Sequence, residues 1–347
     1  MRCRIALGRG DPLGAAPSPC TARPGQHRSA MHAFARQAPA RAPLGRIAFL
    51  LSNAIGDTLV SLVVVHNLLR HGHHVVCFGA PACALADWFP GVDIRALPAD
   101  SQIAETLAPF DTVFQMHARQ PLGAIQRWRP DVRILEHLEY GTWPGAMAQR
   151  LRAYCEHTLG LYPSSPHNGM TAPAWLEHRR HARRVLIHPE ASTPDKRWSP
   201  RAFLRLARAL HSGGHEVCFI LAPHERETWR WLDDEEFSRP AFTDLSKLAA
   251  FVYESAWVIG NDSGIGHLAA SLGVPTLTLF RRRAVSQRWQ PMGSASRVAL
   301  PWQWLPGAFL KERLWRQTLT CSRVLRHFAR LQQDHPTRRT RRADEAQ

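Results

Sequence analysis

Two series of short apolar runs, each followed by a helical pattern, occupy most of the chain. The first series begins at residues 46–51, an apolar run typical of a buried parallel strand, and continues through a predicted helix at 59–70. The second series begins at residue 184. Residues 162–176 lie between them, hold three prolines and predict a linker. Strands that alternate with helices form parallel sheets, so the pattern predicts an α/β fold of two doubly wound domains that face each other across a cleft.

The same pattern sets the expected domain boundaries. We expect a disordered basic extension at 1–43, an N-terminal Rossmann-like domain at 44–170, a C-terminal Rossmann-like domain at 180–306, an amphipathic C-terminal helix at 307–332 and a basic tail at 333–347. In open parallel sheets, ligands bind at the carboxyl ends of the strands. The loops at 54–58 in the first domain and 261–267 in the second are therefore the expected positions of a site.

Residues 261–275 carry the clearest chemical signal in the chain. They follow an apolar run at 256–260 and open a short helix whose first turn holds Ser263, Gly264 and Gly266. The N–H groups of a first helical turn have no partner inside the helix, and glycines allow an anion to approach the backbone. We therefore expect an anion site here, suited to the diphosphate of a nucleotide-sugar.

The chain is strongly basic, with a formal net charge of +16 over 347 residues. Much of this charge lies at the ends, because residues 1–46 carry eight Arg against one Asp and residues 323–347 carry seven Arg against three acids. Solvated tails are the simpler interpretation, and attraction to an anionic membrane surface or to nucleic acid is the functional one. No recognisable nucleic-acid-binding module accompanies the charge, so we expect peripheral contact with an anionic membrane and no nucleic-acid partner.

Cysteine usage and hydropathy limit the cellular setting. None of the seven Cys forms a C-x-x-C pair, which argues against a zinc or iron–sulfur centre, and the odd, scattered set favours a reducing compartment. No apolar run approaches the roughly 20 residues that span a bilayer. Residues 1–30 lack the apolar core of a secretory signal, and Met31 is an alternative start. We expect a cytoplasmic protein that uses no metal or cofactor.

Four motifs together resemble glycosyltransferase family 9, the ADP-heptose:lipopolysaccharide heptosyltransferases. Residues 262–273 resemble the family signature D-[ST]-G-x-x-H-[LI]-A-A-x-x-G, and residues 55–58 resemble its G-D motif after the first strand. Residues 188–200 resemble its K-x-W-P block, and residues 288–291 resemble the block after its last strand. The similarity covers roughly residues 44–300, and the combination of motifs is far more specific than any one of them.

The resemblance implies a fold and a reaction. Members of this family have the GT-B fold, and they are metal-independent, inverting transferases. They move heptose from ADP-heptose to a sugar of the lipopolysaccharide inner core at the cytoplasmic face of the inner membrane. By this resemblance, residues 44–170 are expected to bind the acceptor and residues 180–306 the nucleotide-sugar donor.

The resemblance also gives two residues catalytic roles. Asp57 is expected to be the general base that takes the proton of the acceptor hydroxyl. Without the resemblance, an N-cap for the predicted helix at 59–70 is the simpler explanation of this residue. Lys196 is expected to neutralise the charge that develops on the leaving diphosphate, and a solvated surface lysine is the alternative.

Seven further residues complete the expected donor site. The hydroxyls of Ser192 and Thr193 would donate to the phosphates. The helix start would bind phosphate through Ser263, His267 and the backbone N–H groups of residues 264–266. Asp262 is expected to bind sugar hydroxyls or to fix the turn, because a carboxylate repels phosphate. Capping would also explain Asp262 and Ser263, and simple packing would explain His267. The full set is Ser192, Thr193, Asp262, Ser263, Gly264, Gly266 and His267.

Two departures from the family pattern concern the donor. Glu190 stands where the family more often has Gly, and three arginines at 281–283 follow the last strand, where the family has Gly and a polar loop. These arginines would add phosphate contacts, alter or block the donor site, or form a solvated charge run. The alternatives are a family 9 enzyme with another nucleotide-sugar donor or a protein acceptor, a non-catalytic sugar-nucleotide-binding protein, and a basic nucleic-acid-binding protein.

Overall fold

The computed structural model describes residues 44–123, 125–304 and 307–337. The predicted extension at 1–43 and most of the predicted tail at 333–347 lie outside these ranges. Residues from Leu44 onward group as one unit that holds two five-stranded sheets, and every strand pairing in both sheets is parallel. No helix in the described ranges is both long enough and apolar enough to cross a bilayer.

The first sheet and its helices come from the N-terminal half of the described chain. The strands are β1 (Ile47–Leu50), β2 (Val75–Phe78), β3 (Asp93–Arg95), β4 (Thr112–Gln115) and β5 (Arg133–Ile134). The helices are α1 (Ile55–Arg70), α2 (Ala80–Cys83), α3 (Ile103–Leu107), α4 (Ile125–Trp128), α5 (His137–Tyr140) and α6 (Met147–His157). The strand order is β3-β2-β1-β4-β5.

The second sheet comes from the C-terminal half. The strands are β6 (His181–His188), β7 (Glu216–Phe219), β8 (Ser255–Asn261), β9 (Thr276–Leu279) and β10 (Ser296–Ala299). The helices are α7 (Pro200–Ser212), α8 (Leu245–Tyr253), α9 (Gly264–Ser271), α10 (Arg283–Trp289), α11 (Ala308–Thr318) and α12 (Cys321–Asp334). The strand order is β10-β9-β8-β6-β7.

These strand orders decide where ligands can bind. In the first sheet the chain moves outward from β1 to β3 and then returns to the other side at β4, so the direction reverses between β1 and β4. In the second sheet the reversal lies between β6 and β8. Crevices form at the carboxyl ends of strands on either side of such a reversal. The loops after β1, β4, β6 and β8 therefore border the two expected crevices.

The first helix starts earlier than its sequence predicts. We expected it at 59–70, whereas α1 begins at Ile55 with Ala54 at the N-cap position. Asp57 therefore lies in the first turn, and the N-cap interpretation of this residue is wrong. Ala54 has no side-chain oxygen to signal a cap, which explains why the sequence pattern places the start one turn too late.

The predicted single helix at 307–332 is two helices. The chain breaks at residues 319–320, and the Thr320 side chain accepts a hydrogen bond from the N–H of Arg323, which caps α12. Three residues of α12 at helical spacing, Val324, Phe328 and Leu331, are buried in the same hydrophobic cluster as the apolar face of α7. The break allows α12 to turn this face onto the second sheet and its helices.

The two halves meet where the starts of α1 and α9 pack together. A Cβ atom on Gly264 would lie 2.9 Å from Cβ of Ile55 and 3.2 Å from the backbone nitrogen of Gly56, both closer than ordinary contact. We call this contact between α1 and α9 the seam. A hydrophobic cluster crosses it and includes Leu62 of α1 and Leu268 of α9, both buried. Glycine at 264 is thus required for the close approach of two helices as well as for any ligand.

The predicted linker also holds the halves together. Residues 158–180 contain no helix or strand. Within them, the side-chain amide of Asn168 is buried and donates to the carbonyl oxygen of Leu59 and to Oγ of Ser271, each at 3.0 Å. One side chain of the linker therefore binds α1 and α9 at once.

Gly264→Ala tests the seam. The added Cβ would overlap Ile55 and the backbone of Gly56, and forcing an extra carbon into a packed contact costs about 1–3 kcal/mol. The better helix propensity of Ala returns up to about 1 kcal/mol of that cost. We expect a lower free energy of unfolding in urea. Gly123→Ala, where a Cβ meets its nearest atom at 3.4 Å, is the control. Equal denaturation midpoints for wild type and Gly264→Ala would show that the seam is loose.

Candidate active site

A cleft of about 960 Å³ connects the two strand-order reversals. Its walls include the first turn of α1, His117 after β4, residues after β6 and the start of α9. The predicted site residues that line it are Asp57, Ser192, Lys196, Asp262, Ser263, Gly264 and His267. Thr193 and Gly266 do not line it: Thr193 bonds to the Asp195 side chain, and Gly266 faces Thr278 and Pro291.

Asp57 is paired with a histidine that the sequence did not single out. Oδ2 of Asp57 lies 3.3 Å from Nε2 of His117 and 3.5 Å from Oγ of Ser52, which donates to it. β1 and β4 are neighbours in the sheet, so the loops that follow them bring these two side chains together. About a quarter of the Asp57 side chain remains exposed, at 27%, and it faces the cleft. Its carboxylate is therefore both held in place and accessible to a substrate hydroxyl.

The environment of His117 favours its charged form. The Asp57 carboxylate raises the pKa of His117 above the ordinary value of 6.5, against the opposing effect of burial. Glu139 and Glu136 raise this pKa further through their charge. Glu139 also lines the cleft. The first-sheet wall of the cleft therefore holds a carboxylate beside an imidazole whose charged form is favoured.

Lys196 is paired with the other predicted acid of the site. It ends a single helical turn, Pro194–Lys196, and its Nζ lies 3.1 Å from Oδ2 of Asp262. Asp262 is nearly buried, whereas the Lys196 side chain is 38% exposed toward the cleft. A buried carboxylate needs a partner, and Lys196 supplies it. Asp262 in turn fixes the position of the ammonium group.

Asn261 locks the Lys196 loop to the end of β8. The residue is fully buried, and its Nδ2 donates to the carbonyl oxygen of Pro189 at 2.6 Å. Its Oδ1 accepts from the N–H of Trp198 at 3.1 Å. The loop that carries Lys196 is thus held at both ends by one side-chain amide.

The C-terminal helices support the same loop from outside. Arg316 of α11 donates to the carbonyl oxygens of Arg197 and Pro194, at 2.7 and 2.6 Å. Nε1 of the buried Trp198 donates to the carbonyl oxygen of Leu319 at 2.8 Å. The position of Lys196 therefore depends on α11 as well as on the second sheet.

Glu190 is the buried member of an ion pair whose other member, Arg197, is partly exposed. It accepts a hydrogen bond from Nε1 of Trp229 at 2.6 Å and lies 2.7 Å from Nε of Arg197. The side chain of Glu190 is 5% exposed. Its charge is therefore compensated within the cleft wall, and the residue that departs from the family pattern here helps to hold the loop.

The start of α9 contributes buried polar groups. Ser263 occupies the N-cap position, but its Oγ makes no hydrogen bond to the helix and is buried without a partner, as is Nδ1 of His267. Burial lowers the pKa of His267, which the charges of Asp262 and Asp57 only partly oppose. Burial therefore favours the neutral form of His267, and its ring packs edge-on against Trp289 at 6.4 Å between centroids. It is a packed residue that retains one donor nitrogen.

The three arginines after β9 lie outside the cleft, and two of them form ion pairs there. Arg281 binds Oδ2 of Asp195 at 2.7 Å, Arg282 pairs with Glu312 of α11, and Arg283 begins α10. None of the three lines the cleft. Arg281 therefore holds the turn that carries Lys196, and the arginines do not block the site.

Metal ligands do not cluster in this part of the protein. Across residues 44–123, 125–304 and 307–337, no group of three or more His, Cys, Asp or Glu side chains is arranged to hold a metal ion.

Comparison with known proteins gives a family match over part of the chain. Residues 145–303 match the family described as glycosyltransferase family 9 (heptosyltransferase). The chain carries a glycosyltransferase family 9 domain. This domain makes the protein a glycosyltransferase, as predicted. A search of curated proteins found no match to the sequence.

Solved structures confirm the predicted GT-B fold of this glycosyltransferase. A family 9 glycosyltransferase from Veillonella parvula superposes with a TM-score of 0.66 at 16% identity, over 85% of this chain and 99% of that one. ADP-heptose lipopolysaccharide heptosyltransferase II from E. coli gives 0.64 at 18%, over 84% and 100%. E. coli heptosyltransferase WaaC with ADP-2-deoxy-2-fluoro heptose gives 0.61 at 15%, over 82% and 99%. At these identities, the likeness is evidence for the fold alone.

Sequence reasoning missed two histidines that line the cleft. His117 lies two residues after the end of β4, and the sequence motifs do not include it. The available signal was its position at the carboxyl end of a strand, next to β1 once the sheet order is known. His188 ends β6, and its Nδ1 lies 3.0 Å from the carbonyl oxygen of Ile220, which requires that this nitrogen carries the proton. Burial lowers the pKa of His188, so Nε2 is left as an acceptor on the cleft wall.

The His117–Asp57 pair predicts a pH dependence of stability. Because the folded-state pKa of His117 is raised above 6.5, the stabilisation that the pair provides is fully present below that value. It is lost as the pH rises through the raised pKa. We expect the difference in free energy of unfolding between wild type and His117→Gln to shrink with rising pH across this window. His74→Gln, at an exposed position, is the control. A difference that stays constant with pH would contradict the pairing.

Proposed function

We propose that this protein is an inverting, metal-independent glycosyltransferase that moves heptose from ADP-heptose to a lipopolysaccharide inner-core acceptor. The observation that carries the proposal is that Asp57 and Lys196 line one cleft from opposite strand-order reversals. A base on one wall and a cation on the other suit a reaction in which a hydroxyl loses its proton and a diphosphate leaves. The cleft volume of about 960 Å³ accommodates a nucleotide-sugar.

The second-sheet wall offers distinct surfaces for the parts of the donor. Residues 220–223 follow β7, and with Phe242, Leu245 and Leu248 they form a largely apolar stretch of the lining that suits a nucleoside. Next along the wall, Lys196 and the start of α9 suit the diphosphate, because the positive end of a helix dipole and an ammonium group both attract it. The sugar would then point toward the first sheet.

Asp57 stands where the acceptor would meet that sugar. In the proposed step, the acceptor oxygen attacks the anomeric carbon from the side opposite the diphosphate, and its proton passes to the Asp57 carboxylate. The bond from the anomeric carbon to the phosphate oxygen breaks, and ADP leaves with its electron pair. Lys196 stabilises the charge that forms on the diphosphate, which removes the need for a metal. Attack from the opposite side inverts the anomeric configuration.

The arrangement of the walls supplies much of the expected rate. Asp57 is held by His117 and Ser52, and Lys196 is held by Asp262, so both groups are positioned before the substrates bind. Orienting two reactants and two catalytic groups in this way removes a large entropic part of the barrier. The basic ends of the chain would keep the enzyme at the anionic inner face of the cytoplasmic membrane, where a lipid-linked acceptor is available.

A donor panel tests the choice of substrate. Calorimetry with ADP-heptose, ADP-glucose, UDP-glucose and GDP-mannose should give saturable binding for ADP-heptose and much weaker heats for the others. A different nucleotide-sugar that binds in place of ADP-heptose would leave the enzyme class standing and refute the donor. No binding to any of the four would favour the nucleic-acid-binding alternative.

Two variants test the assigned roles separately. Asp57→Asn removes the base but keeps the shape, so we expect kcat to fall by about 10²–10⁴ with donor affinity retained. Lys196→Ala removes charge from the leaving-group side, so we expect kcat to fall by about 10²–10³ and donor affinity to weaken as well. Lys247→Ala, at an exposed side chain that does not line the cleft, is the matched control and should behave as wild type. Full activity in Asp57→Asn would refute its role as base, and a protein that binds donor without measurable turnover would be the non-catalytic alternative.

A further inference from the structure

Large hydrophobic side chains that are close together in the sequence are exposed just before α11 and in its first turn. Among the described residues, nine large hydrophobic side chains are exposed, and four of them fall within residues 302–310. Trp302 and Trp304 stack on each other, with ring centroids 5.3 Å apart, and Trp304 is 70% exposed. Phe309 is also 70% exposed, and Leu310 beside it is 39% exposed in the first turn of α11. We call these four residues the aromatic patch.

Cations border the aromatic patch. Lys311 and Arg313 follow it directly in α11, and Arg313 is exposed. Glu312, the acid of this helix, is already paired with Arg282. The patch therefore presents aromatic rings next to positive charge that is not neutralised by the neighbouring carboxylate.

We propose that the aromatic patch, with Lys311 and Arg313, docks this protein onto an anionic lipid surface. Trp side chains favour the boundary between headgroups and acyl chains, because one part of the ring is apolar and the N–H is polar. Lys and Arg beside them add attraction to anionic headgroups. The proposal assigns membrane contact to a folded surface, whereas the basic ends of the sequence had suggested contact through the tails. It does not depend on which sugar the enzyme transfers.

Charge argues against the other occupants. The terminal segments of this chain are themselves strongly basic, so neither is complementary to a patch bordered by Lys311 and Arg313. A second copy of the chain docked through the same surface would place those cations against each other. A bilayer that contains phosphatidylglycerol or cardiolipin is complementary to the patch. Its apolar interior can take up the aromatic rings, and its negative headgroups attract Lys311 and Arg313.

Helix α11 and its hydrogen bonds connect the patch to the active-site loop that carries Lys196. Phe309 and Arg316 lie in the same helix, seven residues or about 10 Å apart along its axis. Arg316 binds the two carbonyl groups of the loop that carries Lys196, and Trp198 of that loop binds the end of α11. A lipid surface under the start of α11 would therefore hold the donor wall of the cleft at a short and fixed distance from the membrane.

Vesicle co-sedimentation of the full chain tests the proposal. The wild-type protein should partition onto vesicles of phosphatidylcholine with phosphatidylglycerol, and much less onto vesicles of phosphatidylcholine alone. Trp304→Ala/Phe309→Ala should lower the partition coefficient for the anionic vesicles by about tenfold, because it removes two exposed aromatic anchors. Lys311→Gln/Arg313→Gln should lower it by about fivefold per charge and should reduce the preference for anionic lipid.

Matched controls distinguish membrane binding through the aromatic patch from nonspecific hydrophobic binding and from binding through the basic tails. Trp175 and Tyr162 are exposed to 77% and 79% outside the patch, so Trp175→Ala/Tyr162→Ala should partition as wild type does. All variants keep both basic ends, and the substituted aromatic positions are exposed, so unchanged thermal midpoints are expected. Unchanged partition of Trp304→Ala/Phe309→Ala would overturn the proposal and assign membrane contact to the tails. Binding of a labelled single-stranded oligonucleotide that is lost in the same variant, without vesicle binding by the wild type, would also overturn it.

Discussion

The approach of two helix starts is the constraint on which the site depends. α1 and α9 come close enough that Gly264 has no room for a side chain against Ile55 and Gly56. Each helix follows the first or third strand of its half and begins at a strand-order reversal, so the contact joins the two crevices into one cleft. Asp57 lies one residue beyond Gly56, and Asp262 lies two residues before Gly264. The distance between the two walls is therefore set by backbone packing rather than by long side chains.

Each functional side chain is then held by a partner from elsewhere in the chain. His117 comes from the loop after β4 to Asp57, and Asp262 comes from the end of β8 to Lys196. Asn261 and Arg316 fix the loop of Lys196 from inside and from outside. These contacts leave the cleft with its charged groups oriented, as electrostatic stabilisation of a transition state requires.

Much of the fold was predictable because its signals are local. Apolar runs predicted the strands, and the alternation of strands with helices predicted two parallel sheets. The start of α1 was mispredicted because its N-cap residue, Ala54, carries no capping side chain. The start of α12 was missed because its N-cap, Thr320, lies within a continuous basic helical pattern. The site was predicted in part for the same reason. Motifs locate Asp57 and Lys196, but the His117 and Asp262 partnerships join positions 60 and 66 residues apart and require the strand order. The expectation that a carboxylate at Asp262 would be awkward beside phosphate overlooked the lysine that compensates it.

The Asp262–Lys196 pair has a consequence for turnover in the proposed reaction. Lys196 already has a carboxylate partner in the protein, so an arriving diphosphate must share the ammonium group with Asp262 rather than capture a free cation. After transfer, ADP carries more charge than it did as part of the donor, and Asp262 repels it while competing for the same ammonium group. Asp262 thus lowers the affinity for the product, and product release is the step that limits turnover in many enzymes. A carboxylate that opposes tight donor binding would in this way help to clear the site for the next cycle.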